Sequence, residues 1–276
     1  MNMSKLKDLG KEFPSVIDRA YKESKRHTKV ADIMSAPVEI IRIDATMEEA
    51  AQVMGDRHIG SLVVEEYRTP IGIVTERDLL SRVLAEKRDL ARTRVKEVMS
   101  FPLQRICPTL EIRYAAQTMI RRKGRLAVFE CGDLVGIITA SDLIRSMPEA
   151  PETSLRVDDF MTRQVAMVSE GTTLARVADR MGKERIGSVV VTRKEKPIGI
   201  FTERDLLTTF LAQKKPLTMK VGEAASSPLI TALAGISIHE AATLMSAEHI
   251  RRLPLIKGGE IAGIITARDL VEGYAK

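Results

Sequence analysis

The sequence predicts an α/β (α+β) fold of four β-α-β-β-α units arranged as two pairs. Three observations predict it. First, the tetrad Gly-Ile-x-Thr, with Asp three residues after the Thr, occurs four times; it opens at Gly72, Gly136, Gly199 and Gly263, at intervals of 64, 63 and 64 residues. Second, a higher level of repetition lies above the first: residues 57–87 and 184–214, 127 positions apart, share 18 of 31 residues without a gap. Third, each unit alternates short apolar runs with stretches of helical periodicity. Repetition at a fixed period of this length marks a chain built from stacked supersecondary units.

The elements follow in order along the first unit. Residues 38–43 form a short apolar strand. Thr46 then caps a helix and Glu49 completes a capping box, with Ala50, Ala51, Val53 and Met54 on the apolar face. Residues 61–64 make a second strand, Pro70 follows a polar turn, and residues 71–74 make a third. A second helix covers 78–84 and buries Leu79, Leu80, Val83 and Leu84. Ser237 and Glu240 repeat the capping box in the fourth unit, and Gly258-Gly259 reads as a hairpin turn. A unit of about 60 residues buries too little surface to be stable alone, so paired units are expected to bury each other's sheet faces. The expected divisions are an N-terminal helical extension (1–29), units at 30–90 and 91–148, a polar, proline-bearing linker (149–156), and units at 157–216 and 217–276. In the extension, Leu6, Leu9, Phe13, Val16, Ile17, Ala20 and Tyr21 have helical spacing, and Lys22, Lys25, Arg26, His27 and Lys29 make its end basic.

Composition narrows the function classes. The chain of 276 residues is 44% hydrophobic and 29% charged, which excludes wholesale disorder. Aromatic residues are 4% with no Trp, which argues against a base-stacking platform for single-stranded nucleic acid. The net charge of +6 is dilute over this length and permits anionic ligands without singling out nucleic acid. Two cysteines, Cys107 and Cys131, fit neither a disulfide framework nor zinc spacing. There is no apolar run near the ~18 residues of a membrane span, and a cytoplasmic location is the expectation. His239-Glu240 begins like a zinc-protease motif, but Thr243 holds the second histidine's place. Neither Gly-rich phosphate-loop pattern is present, and no nucleophile has a suggestive base beside it. The chain is therefore read as no enzyme, with no metal.

The repeated turn carries the chemistry. Each apolar strand runs into Thr75, Thr139, Thr202 or Thr266, where a helix begins, with Asp78, Asp142, Asp205 or Asp269 three residues later. Thr-x-x-Asp is a capping box, and that role accounts for one copy without any ligand. Four copies that all use Thr and Asp allow a second role. A short carboxylate beside a strand-to-helix turn can accept both hydroxyls of a ribose, as an acidic residue does in dinucleotide folds. Helix N-terminal amides with the Thr hydroxyl can meet a phosphate.

These residues resemble the cystathionine-β-synthase (CBS) domain family over residues 30–275. The layout is similar to that of four-repeat members, among them the gamma subunit of AMP-activated protein kinase and stand-alone prokaryotic proteins. The resemblance implies two Bateman modules, each a pseudo-twofold pair of repeats with two clefts, that together form a disc. It also implies ligands of the adenosine class: AMP, ADP, ATP or S-adenosylmethionine. On it, Asp78, Asp142, Asp205 and Asp269 would hold ribose, with Thr75, Thr139, Thr202 and Thr266 near ribose or phosphate. The gamma-subunit run His-Arg-Leu-Pro reads Arg251-Arg252-Leu253-Pro254 in the fourth unit and Gly124-Arg125-Leu126-Ala127 in the second. Units one and three carry Gly60-Ser61 and Gly187-Ser188 there. Phosphate grip is thus expected near Arg125, Arg251 and Arg252, with Arg77, Arg204 and Arg268 as secondary contacts. The competing reading of each arginine is a solvated surface charge, the expectation preferred for Arg77 and Arg204. The resulting function is regulatory: an adenine nucleotide binds between paired repeats and its presence is passed to a partner protein. An S-adenosylmethionine sensor and a nucleic-acid-binding regulator using the basic N-terminal segment are the alternatives, and a homodimer is left open as an assembly.

Overall fold

The computed structural model describes residues 28–122, 124–147 and 154–276. The expected N-terminal extension, except Thr28 and Lys29, and the linker before Ser154 lie outside the described residues.

Unit 1 comprises α1 (Val30–Ile33), β1 (Ile40–Arg42), α2 (Met47–Asp56), β2 (Ser61–Glu66), β3 (Thr69–Thr75) and α3 (Glu76–Leu79), which continues as a π-helical turn over Leu80–Leu84. Unit 2 comprises α4 (Val95–Val98), β4 (Arg105–Ile106), α5 (Ile112–Arg122), β5 (Leu126–Glu130), β6 (Asp133–Ile138) and α6 (Ala140–Ser146). Unit 3 opens with a 3-10 turn at Val157–Asp159 and continues through β7 (Met167–Ser169), α7 (Leu174–Lys183), β8 (Ser188–Arg193), β9 (Lys196–Thr202) and α8 (Glu203–Asp205), again prolonged by a π-helical turn, Leu206–Leu211. Unit 4 comprises α9 (Val221–Ala224), β10 (Ala232–Leu233), α10 (Ile238–Ala247), β11 (Arg252–Lys257), β12 (Glu260–Thr266) and α11 (Ala267–Ala275).

Each unit holds a three-stranded sheet whose first strand runs parallel to the second and whose second and third form an antiparallel hairpin. The α2 helix begins as the sequence predicts: the Thr46 hydroxyl accepts from the Glu49 amide, and the Glu49 carboxylate accepts from the Thr46 amide. Ser237 and Glu240 do the same for α10. Gly258 and Gly259 form the β11–β12 turn with φ of 63° and 86°. Tyr67-Arg68 and Lys194-Glu195 take the same left-handed pair of conformations without glycine. β1 is shorter than expected, because only Ile40, Ile41 and Arg42 pair with β2.

Pairing within a module involves an exchange that sequence spacing does not reveal. The lead-in of unit 1 docks on unit 2: the Val30 amide donates to the Leu110 carbonyl, and Ser35 bridges Ile137. The lead-in of unit 2 docks on unit 1 through the Ser100–Ile73 bridge. Units 3 and 4 repeat this with Thr162 on Ile264 and Ser226 on Ile200. This accounts for the glycine of the tetrad. A Cβ on Gly263 would lie 2.5 Å from the Met161 sulfur, and Gly136 faces Met34 in the same manner. The sheet faces of units 1 and 2 bury Val63, Leu103 and Ala127 between them, with Val38, Ile73, Phe129 and Ile137 alongside.

The helices join the two modules. Those of units 2 and 4 share one core that includes Ala115, Met119, Ile144, Ala241, Met245 and Leu270. Those of units 1 and 3 interlock, with Leu207 buried in the core of unit 1 and Leu80 in that of unit 3. Four contacts, 1–2 and 3–4 through the exchanged lead-ins and 1–3 and 2–4 through helices, close a ring of four units within one chain, as the family resemblance implies. At the 1–3 contact, Gly55 abuts Ala212, and Gly182 abuts Ala85 and the Leu80 carbonyl, where an added Cβ would meet Ala85 at 2.5 Å. Gly182→Val is expected to destabilise the ring by about 1–3 kcal/mol through overpacking. The loss should be read as a lowered denaturant midpoint, and an unchanged midpoint would show that α7 can shift freely.

Candidate ligand-binding site

The four strand-to-helix turns share one geometry. Thr75, Thr139, Thr202 and Thr266 are extended N-cap residues, and each hydroxyl accepts from the amide of the Asp three residues on. Each Asp returns the contact through Oδ2, which accepts from the Thr amide and hydroxyl; for Asp142 these distances are 2.8 and 2.6 Å. The capping role is therefore filled in all four copies. The second carboxylate oxygen distinguishes them. Oδ1 of Asp78 pairs with Arg82 at 3.2 Å. Oδ1 of Asp142 accepts from the Ser35 hydroxyl at 2.9 Å and from Arg145. Among the described residues, Oδ1 of Asp205 and of Asp269 accepts no hydrogen bond.

Burial pushes the carboxyls of Asp78, Asp205 and Asp269 above their usual range, against the opposing hydrogen bonds from their threonines. A carboxyl raised on folding contributes most below its unfolded value, about 3.9, and loses that contribution as pH rises through the folded value. At neutral pH these carboxylates cost stability that an asparagine cap would not, since an amide oxygen can accept the same two bonds. Asp269→Asn is therefore expected to raise the thermal midpoint at pH 7, with the gain shrinking toward pH 4. A lower midpoint at pH 7 would show that the ionised carboxylate is what the cap requires.

Thr139 and Asp142 line a cleft of about 380 Å³ between units 1 and 2, the size of small-molecule sites. Pro37, Val38, Ile59 and Gly60 of unit 1, Ile137 with the Thr139 turn of unit 2, and Met245 and Ile250 of unit 4 line it; Arg125, Arg204 and Arg251 reach it from units 2, 3 and 4. Behind these arginines lies Glu76, whose side chain is 1% exposed. Arg204 Nε donates to Glu76 Oε1 at 3.1 Å and Arg251 Nη2 to Oε2 at 3.4 Å. Arg125 Nη2 donates to the Gly60 carbonyl at 3.0 Å. A second carboxylate, Glu203, receives Arg252 Nη2 at 2.8 Å and faces Arg77 at 3.8 Å. Burial alone would drive the Glu76 carboxyl up, but the charges of Arg251, Arg204 and Arg125 outweigh it and hold Glu76 below the usual carboxylate range. Five guanidinium groups thus surround two carboxylates where all four units meet.

The structure corrects the arginine expectations. Arg251 and Arg252 are not solvated surface charges; their side chains are 24% and 12% exposed. Arg204, expected to be solvated, is partly buried and crosses between modules to Glu76, whereas Arg77 stays exposed as expected and only faces Glu203 at 3.8 Å. Arg268 is exposed. Thr139, Asp142, Arg125 and Arg251 come together in the cleft; Thr75, Asp78, Thr202, Asp205, Thr266 and Asp269 lie outside it, and Arg252 pairs with Glu203 away from its lining. Sequence reasoning missed Ser35, Glu76 and Glu203. One signal could have found the glutamates. The residue after the Thr is Glu in odd units and Ala (Ala140, Ala267) in even ones, while the column that holds Arg125 and Arg252 is Ser in odd units. Complementary alternation of opposite charges points to a pairing between units. Among the described residues there is no cluster of metal-ligating side chains, and no helix is long and apolar enough to cross a membrane.

Comparison with known proteins agrees with this architecture. The chain is 28% identical over 272 residues to the uncharacterised protein MJ1404 of Methanocaldococcus jannaschii, a match spanning 89% of this chain and 62% of that protein's length. The crystal structure of MJ1225 from the same organism, which has been likened to the gamma subunit of AMP-activated protein kinase, superposes with a TM-score of 0.73 at 21% identity, covering 89% of this chain and 99% of that one. A conserved Pyrococcus horikoshii protein superposes with a TM-score of 0.62 at 22% identity and the same coverage. The CBS-domain profile matches residues 30–85, 95–149, 157–212 and 221–276. With four matched domains, four three-stranded sheet units and the exchanged lead-ins in one ring, the chain belongs to the CBS-domain family.

Proposed function

We propose that this chain is a non-catalytic regulatory protein that binds an adenosine nucleotide in the cleft between units 1 and 2 and passes its presence to a partner protein. The observation that supports it is the convergence, in one cleft, of apolar side chains, a hydroxyl-accepting carboxylate and four arginines, Arg125, Arg145, Arg204 and Arg251. Adenine packs against Val38 and Ile59. The Asp142 carboxylate takes the ribose hydroxyls; the Ser35 hydroxyl already donates to it as a ribose would. Phosphates face Arg125, Arg204 and Arg251. The equivalent turns at Thr75–Asp78, Thr202–Asp205 and Thr266–Asp269 are proposed as further ribose positions, with Arg252 as a further phosphate contact and the units divided at 30–90, 91–148, 157–216 and 217–276.

A ligand that engages arginines from units 2, 3 and 4 has a different affinity for different arrangements of the ring, and that difference is what couples it to a partner. No chemical step is needed. Calorimetric titration with AMP, ADP, ATP and S-adenosylmethionine tests the reading. At least one nucleotide should bind, with no steady-state turnover of ATP. Binding of S-adenosylmethionine alone would remove the phosphate assignment, because that ligand carries no phosphate.

A further inference from the structure

We infer that Glu76 is a built-in competitor for the anionic part of the ligand, so that the cleft selects among ligands by the charge they bring to Arg204 and Arg251. The inference deepens the nucleotide reading, and its core, anion binding at these two arginines, can be tested without a nucleoside.

The geometry carries it in three steps. Arg204 and Arg251 line the cleft and hold between them one buried carboxylate that is not part of its lining. Each holds it by a single nitrogen, at 3.1 and 3.4 Å, rather than by the two-pronged fork that guanidinium offers to carboxylate or phosphate. Such a contact leaves most of each group's five donors for an incoming anion. A phosphate entering from the cleft can therefore take both guanidinium groups with better geometry than Glu76 provides.

The charge balance points the same way. Five arginines, Arg77, Arg125, Arg204, Arg251 and Arg252, gather around Glu76 and Glu203, with Asp78 near Arg125 and Asp205 near Arg204 and Arg252, and of these four carboxylates Glu76 is the one that Arg204 and Arg251 hold together. The deep burial of Glu76 makes its charge act strongly on its neighbours, since little water screens it. A carboxylate in that position lowers the attraction for every anion in the cleft, and lowers it more for each added charge. The even units have Ala140 and Ala267 at the equivalent position, so this competitor is confined to odd units. Capture of the arginines would also release Glu76 from units 3 and 4, loosening two of the contacts that tie unit 1 to the second module.

Pyrophosphate and adenosine, titrated separately by calorimetry into the parent chain and Glu76→Gln, test the inference. Glu76→Gln should bind pyrophosphate at least tenfold more tightly and adenosine within twofold of the parent. Its thermal midpoint should fall in buffer and recover on adding pyrophosphate by more than the parent gains. If Glu76→Gln does not fold, Glu76→Asp serves. It keeps the charge but draws it back by one methylene, and should bind pyrophosphate about threefold more tightly. Pyrophosphate binding that is absent, unchanged or weaker in the folded variant overturns the inference, whatever adenosine does. A gain for pyrophosphate with no adenosine compound bound by the parent upholds the inference and sinks the nucleotide reading instead.

Discussion

Asp142→Ala is expected to weaken AMP binding by about 10- to 100-fold, because the ribose hydroxyls lose a charged acceptor whose combined net contribution is about 1.5–3 kcal/mol. The same change removes the Asp142 half of the α6 capping box, while the Thr139 hydroxyl still accepts from the residue 142 amide, costing about 1 kcal/mol of stability, and leaves Ser35 and Arg145 without their shared partner. Alanine alone therefore confuses two roles. Asp142→Asn separates them. Its side-chain oxygen can accept from the Thr139 amide and hydroxyl as Oδ2 does now, so the helix keeps its cap, but the second oxygen becomes a donor and no longer receives a hydroxyl. The parent should favour AMP over 2′-deoxy-AMP, whereas Asp142→Asn should bind the two alike while unfolding near the parent's temperature. Calorimetry with both ligands on both proteins decides the matter. If the asparagine variant still prefers the ribonucleotide, Asp142 caps a helix and does nothing for ribose.

Arg251→Met is expected to cost about 3 kcal/mol of folding stability. Removing one partner of a buried pair leaves an uncompensated charge, worth about 3–5 kcal/mol, and the lower end applies because Arg204 remains. The loss has a pH signature. In the parent, Glu76 titrates below its unfolded value of about 4.3, so its contribution is full above that pH and disappears as pH falls through the folded value. In the variant less positive charge opposes burial, so the folded carboxyl moves up from its value in the parent. The penalty is then greatest at neutral pH and shrinks as pH falls through the raised value. Urea midpoints followed downward from pH 7 to below the ordinary carboxylate range should converge between the two proteins; a constant gap would mean that lost packing of the arginine stem, and not its charge, is responsible.

Wherever the determinant was local, the sequence alone determined it. The strands and helices of each unit, the capping boxes at Thr46, Ser237 and the four Thr-x-x-Asp turns, and the Gly258-Gly259 turn depend on residues within a few positions of one another, where backbone geometry makes spacing informative. The duplication at an offset of 127 is legible as plain sequence identity. What only the tertiary structure decided is which residues meet across units. Met34 seats on Gly136, Ser35 reaches Asp142, and Arg204 and Arg251 close on Glu76 across 128 and 175 residues. No sequence spacing encodes such contacts. Whether an arginine is a solvated charge or half of a buried pair is likewise a property of burial. Burial at this junction exists only once the odd and even units have closed the ring, and that closure turns arginines with ordinary surface composition into the cationic floor of a cleft.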